Sequence, residues 1–198
     1  MKKILISILI LFSIYTVYVD GDVFNGLQQI GTTEGFTDLP RNKIKIVGSD
    51  KFTTQTESAL ALLKDLAPTA FDKVQKYIGI IEQGEHSGMW AKEKPPRYEV
   101  NDTTSFFSVT WYAGTIAHDA VHSELYHEYK AKHGLPVPAD IWSGVNSEKF
   151  GILHQIGVMK KIRAPKSEID YLDGLDGTHC DIDGDGDCDW DDYKGRDW

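Results

Sequence analysis

Apolar positions along residues 43–166 recur with two different periods. "KIKIVG" (43–48) alternates polar with apolar and ends in Gly, which predicts a strand. The spacing then lengthens. "TQTESALALLKDL" (54–66) sets Leu60, Leu63 and Leu66 at three-residue steps behind a Thr54/Glu57 capping box, which predicts a helix. Pro68 suits the first turn of a second helix with Phe71, Val74 and Tyr77 as its stripe. "YIGIIEQ" (77–83) predicts a strand. Residues 84–97, with Gly, His and two prolines, predict a loop. "RYEV" (97–100) and "TTSFFSVTWYA" (103–113) read as short strands, the second leading straight into a long helix over about 113–132 that stops near Gly134 and Pro136. A loop carries the chain to Asn146. There Asn146 or Ser147 caps a last long helix, 147–163, ended by Ala164 and Pro165. The order predicts an α+β fold: a small antiparallel or mixed sheet with two long helices. No internal repeat is visible.

The ends differ from this middle. Lys2 and Lys3 precede a sixteen-residue uncharged run, "ILISILILFSIYTVYV". A positive n-region before an apolar h-region predicts an export signal over 1–20, with a retained membrane anchor as the alternative. Residues 21–42 read as a linker or pro-segment, 43–166 as the folded domain and 167–198 as a tail packed on it. The formal net charge is −9, yet residues 181–198 alone hold eight Asp against one Lys and one Arg. No basic face for nucleic acid is visible. The two cysteines, Cys180 and Cys188, both lie in the acidic tail, and a secreted or extracytoplasmic chain would pair them.

The chemistry concentrates in "GTIAHDAVHSELYHE" (114–128). His118 and His122 stand four apart, so on a helix they share a face. Two neutral imidazoles at that spacing can grip one zinc ion. Asp119 follows directly and can reach a metal-bound water without ligating the metal, accepting its proton. Asp is one methylene shorter than Glu, which holds its carboxylate about an ångström farther away. For the third ligand, His127, Glu128 and His133 point to other faces or lie too far along the helix. Glu148 opens the next helix and shares its apolar stripe with Ile152 and Met159. A carboxylate buried there needs a partner, and a metal provides one. The plainer reading of Glu148 is an acid favoured at a helix N-terminus.

"HDAVH" followed by a helix carrying Glu148 resembles the gluzincin, thermolysin-like zinc metallopeptidases, which use H-E-x-x-H on one helix and a Glu on the next. The resemblance spans about residues 98–163. It implies a zincin-like sheet with an active-site helix, zinc at His118, His122 and Glu148, and Asp119 as the base. It also implies "TSFFSVTWYA" as the antiparallel edge strand that aligns a peptide or protein substrate by strand addition. Tyr112 and His154 are guesses for a group that steadies an oxyanion. Two other readings stand beside it: histidines hydrogen-bonded in a core, next to Thr115 and Tyr126, and a phosphohydrolase HD pair drawing on His86 and Asp140.

"DIDGDGDCDWDD" (181–192) fits the twelve-residue calcium loop, D-x-D-x-D-G with acids again at positions nine and twelve. Asp181, Asp183, Asp185, Asp187, Asp189 and Asp192 are its candidate ligands, and Gly186 allows the sharp turn. The loop resembles those of dockerins and of extracellular calcium-binding tails. Zn2+ and Ca2+ are thus the expected cofactors. The expected function is an exported zinc metallopeptidase. The alternative is a non-catalytic extracellular metal-binding or structural module.

Overall fold

The computed structural model describes residues 43–186, 188 and 190–195. The segments read as export signal and linker, together with Asp187, Asp189 and Trp198, lie outside the described residues. Everything described belongs to one compact unit.

Four strands form a mixed sheet: β1 (Lys45–Val47), β2 (Ile80–Gln83), β3 (Gly88–Trp90) and β4 (Arg97–Val100), in the order β1-β2-β4-β3. The pairs β1–β2 and β2–β4 are parallel, and β3 runs antiparallel to β4 at the edge. Between β1 and β2 the chain makes α1 (Asp50–Leu66) and α2 (Pro68–Tyr77). After β4 come α3 (Asp102–Ser105), α4 (Val109–His133), α5 (Ala139–Trp142), α6 (Val145–Lys161) and α7 (Lys166–Asp173). A 3₁₀ turn (Thr178–Cys180) and α8 (Trp190–Gly195) flank the acidic loop. The class is α+β, as the periodicity predicts.

The core joins the sheet to α1, α2, α4 and α6. Phe52, Leu63, Val74, Ile81 and Tyr98 are buried against Ile116, Ala117, Ala120 and Met159. Each large apolar side chain sequestered this way contributes about 1.5–3 kcal/mol. The two long helices approach closely because each offers a glycine to the other. A Cβ on Gly114 of α4 would stand 2.9 Å from Met159, and one on Gly151 of α6 would stand 2.7 Å from the His118 ring. Glu148, Ile152 and Met159 share the inward face of α6, as their spacing predicts.

Several local expectations are corrected. The first helix starts at Asp50, four residues before the expected box, because the Ser49 hydroxyl caps it by accepting from Phe52 N at 3.2 Å. Thr54 and Glu57 fall inside that helix. Within 103–113 the chain ends one helix at Ser105 and starts another at Val109, although its β-branched and aromatic residues favour strand. Two successive caps override that preference: Asn101 Oδ1 accepts from Thr104 N at 3.0 Å, and Ser108 Oγ accepts from Trp111 N at 2.9 Å. The expected 84–97 loop contains β3, which pairs with β4 through the register Met89 to Tyr98. Trp90 Nε1 donates to Glu99 Oε2 across that pair, and the Arg97 guanidinium lies over the Trp90 ring. The last long helix begins at Val145 behind Gly144, not at Ser147, whose hydroxyl donates to Gly144 O.

Candidate metal centre

His118 and His122 occupy one face of α4, and Glu148 enters from the first turn of α6, which packs along it. His118 Nε2 is 2.9 Å from His122 Nε2 and 3.1 Å from Glu148 Oε2. His122 Nε2 is 3.6 Å from Glu148 Oε1. A tetrahedral ion with bonds of about 2.0–2.1 Å holds its ligands about 3.3 Å apart, so the three separations fit a common centre. His122 and Glu148 are buried and His118 is half-buried.

The hydrogen bonds behind the rings set their tautomers. His122 Nδ1 lies 2.7 Å from Trp142 O, a backbone acceptor, so this nitrogen carries the proton. His118 Nδ1 lies 3.1 Å from Gln155 Oε1 and donates to it. When both rings are neutral, each Nε2 turns a bare lone pair toward the other and toward a carboxylate. Three electron-rich atoms so close repel unless a cation sits among them. Outer-sphere acceptors of this kind are what orient imidazoles around a metal.

Electrostatics follow the same logic. Burial disfavours charge on His122, but the Glu148 carboxylate outweighs it and lifts the imidazole to about 9. Burial raises the Glu148 carboxyl, yet His122 and then His118 hold it well below the ordinary carboxylate range. A proton on His122 thus offsets the repulsion among the three groups.

The centre opens into a cleft of about 760 Å³ whose lining includes Asp119, edge strand β3, Trp111 and Tyr171. Asp119 is half-buried beside Tyr98, which is fully buried. Burial, and after it the nearby Asp119 carboxylate, pushes the Tyr98 phenol well above its usual value.

The other sequence candidates separate from the centre. Glu128 pairs with Tyr77 and Lys76 on the far side of α4. His86 packs edge-on against Tyr193. Neither His127, His133, His86 nor Asp140 belongs to a metal-ready group among the described residues. Both oxyanion guesses fail. The buried Tyr112 hydroxyl pairs with Thr56 at 2.9 Å, and neither Tyr112 nor His154 lines the cleft. Instead His179, from the 3₁₀ turn, reaches the site with its Nε2 3.8 Å from Glu148 Oε2. Its only trace in the sequence is its place next to Cys180.

Asp181, Asp183 and Asp185 bring their carboxylates together at the surface of the tail. Gly184 and Gly186 take positive φ, 79° and 92°, which lets the loop fold back on itself. Asp181 accepts from Gly184 N and Gly186 N, at 2.8 and 3.0 Å. The buried Asp192, on α8, closes the loop by accepting from Ile182 N and Asp183 N. Hydrogen bonding from Asp185 N draws the Asp183 carboxyl down, but desolvation, and after it crowding by Asp185, Asp192 and Asp181, leaves it raised overall. Cys180 and Cys188 form a disulfide across the loop.

No family model matches the chain, and neither a curated protein nor a solved structure does.

Proposed function

We propose that the chain is an exported zinc-dependent hydrolase of the gluzincin kind that cleaves peptide bonds. The observation that carries this reading is the convergence of His118, His122 and Glu148 at mutual distances of 2.9–3.6 Å. Both imidazoles there are held by an outward acceptor. This donor set suits zinc, and a zinc ion bound there supplies Lewis acidity and acidifies water. Asp119 lines the same cleft and accepts the proton. β3 takes the substrate-aligning role expected of residues 104–113, because it is the antiparallel edge strand lining the cleft and, among the described residues, has no strand neighbour on its outer side. An extended peptide can add there through main-chain hydrogen bonds. The acidic loop takes calcium, and the Cys180–Cys188 disulfide suits an oxidising compartment.

Metal analysis of the purified chain, followed by digestion of a peptide library, tests this. One zinc per chain is expected, with cleavage that chelators abolish and that Asp119→Ala reduces sharply. The shorter base favours the rival, a non-catalytic metal-binding module. One bound zinc with no chelator-sensitive cleavage decides for that rival.

A further inference from the structure

Tyr98 stands on β4 between β2 and β3, opposite Ile81 on one side and Met89 on the other, so its backbone is held from both flanks. Its side chain is fully buried in the core that joins the sheet to α4. For packing alone a phenylalanine would serve. A hydroxyl carried there costs stability unless it finds a partner. In the structure this hydroxyl is shut off from solvent and has no hydrogen bond of regular geometry; the side chains placed to supply one are Thr115 and Asp119. Those two stand four apart on α4 and so share a face. All three residues line the cleft of the metal centre.

The available protons choose between the two partners. Thr115 Oγ1 donates its one proton to Tyr112 O at 2.9 Å, so toward Tyr98 it can only accept. The phenol stays protonated, because burial, and after it the Asp119 carboxylate, pushes its ionisation well above the usual value. It thus has a single proton to give. An ionised carboxylate outcompetes a hydroxyl for it, since a hydrogen bond to a charged acceptor is roughly twice as strong as one between neutral groups. We propose that the Tyr98 hydroxyl donates to the Asp119 carboxylate and is the positioning residue for the base of the metal centre. An acid one methylene short of the usual length is then held by a donor that the sheet supplies. This role rests on reading His118, His122 and Glu148 as a hydrolytic metal centre with Asp119 as its base.

The test uses the zinc-loaded full chain with its nine tyrosines carbon-13 labelled at Cζ, whose NMR shift responds to hydrogen bonding of the hydroxyl. The resonance missing from Tyr98→Phe belongs to Tyr98. Asp119→Asn should move that resonance, because a neutral amide replaces the charged acceptor, and Thr115→Val should move it less. If Thr115→Val moves it more, Thr115 is the partner and the proposal is overturned. Asp119→Asn also decides the contact without Tyr98→Phe, since a spectrum in which no tyrosine resonance moves overturns it. In cleavage of the peptide that the unmodified chain cuts fastest, Tyr98→Phe should lower kcat about ten- to a hundredfold, as a misplaced base implies, with KM and zinc content unchanged. An unchanged kcat, or loss of zinc from Tyr98→Phe, overturns the positioning role. Absence of cleavage by the unmodified chain overturns the hydrolase reading and this role with it. A stationary Tyr98 resonance beside active, zinc-bound protein overturns this proposal alone.

Discussion

The two clusters of metal-ready side chains are built in opposite ways. His118, His122 and Glu148 come from two helices, with Glu148 26 residues beyond His122, and two of the three are buried. Their outward hydrogen bonds, to Trp142 O and Gln155 Oε1, are made before any ion arrives. Asp181, Asp183 and Asp185 are close in sequence and lie at the surface, and Asp181 and Asp183 occupy lone pairs on nearby backbone N–H groups. The first cluster is preorganised by the fold, and two of its three donors are already buried. The second is assembled by local turns and remains wet. Loss of one donor should therefore cost the first site most, whereas the loop, built from several carboxylates, should degrade more gradually.

The sharpest way to break this comparison is to remove one inner donor. His122→Ala should abolish stoichiometric zinc after dialysis, as measured by elemental analysis, and with it any hydrolysis. Retention of zinc would place the metal elsewhere. Next comes the outer acceptor. Gln155→Ala leaves all three donors but frees the His118 ring, and zinc affinity measured by chelator competition should fall about 10–100-fold. An unchanged affinity would mean that packing against Gly151, and not the hydrogen bond, orients this ring.

The acidic loop should respond more mildly. Calcium at a hundredfold excess over its Kd should stabilise the chain by about 2.7 kcal/mol, read as a rise in Tm. Asp192→Ala, which also removes the acceptor for Ile182 N, should erase that rise and leave zinc content at one. If Asp192→Ala also lost its zinc, the two sites would be one cooperative unit. A separate effect is one of pH. His122 is raised from 6.5 to about 9, so in the metal-free protein its protonated form contributes stability in full below pH 6.5. That contribution is lost as pH climbs from 6.5 through 9. Zinc bound there would displace the proton and should remove this decline, because its binding competes with protonation. Denaturant midpoints across that range, with and without zinc, check the sign.

Residues 103–113 show where local pattern misleads. Their aromatic and β-branched content reads as strand, yet Asn101 and Ser108 sit in extended backbone and cap helices on either side of Phe107. β3 was hidden for the converse reason. Its three residues lie among Gly, His and Pro, and only pairing with β4 makes them a strand. The 3.6-residue period of α4 and α6 survived because each buries a full stripe of side chains.

By itself the sequence determined which atoms could bind metal: the i, i+4 histidines, the inward stripe of Glu148 and the alternating acids of 181–185 are all short-range patterns that helix and turn geometry make unavoidable. Only the tertiary structure decided that Glu148 meets the imidazoles, that β3 forms the cleft wall and that His179 stands beside them. Those relations depend on how helices cross and where the tail packs. Glycines at two close approaches, a disulfide and an aromatic contact fix that packing, and no local spacing encodes it.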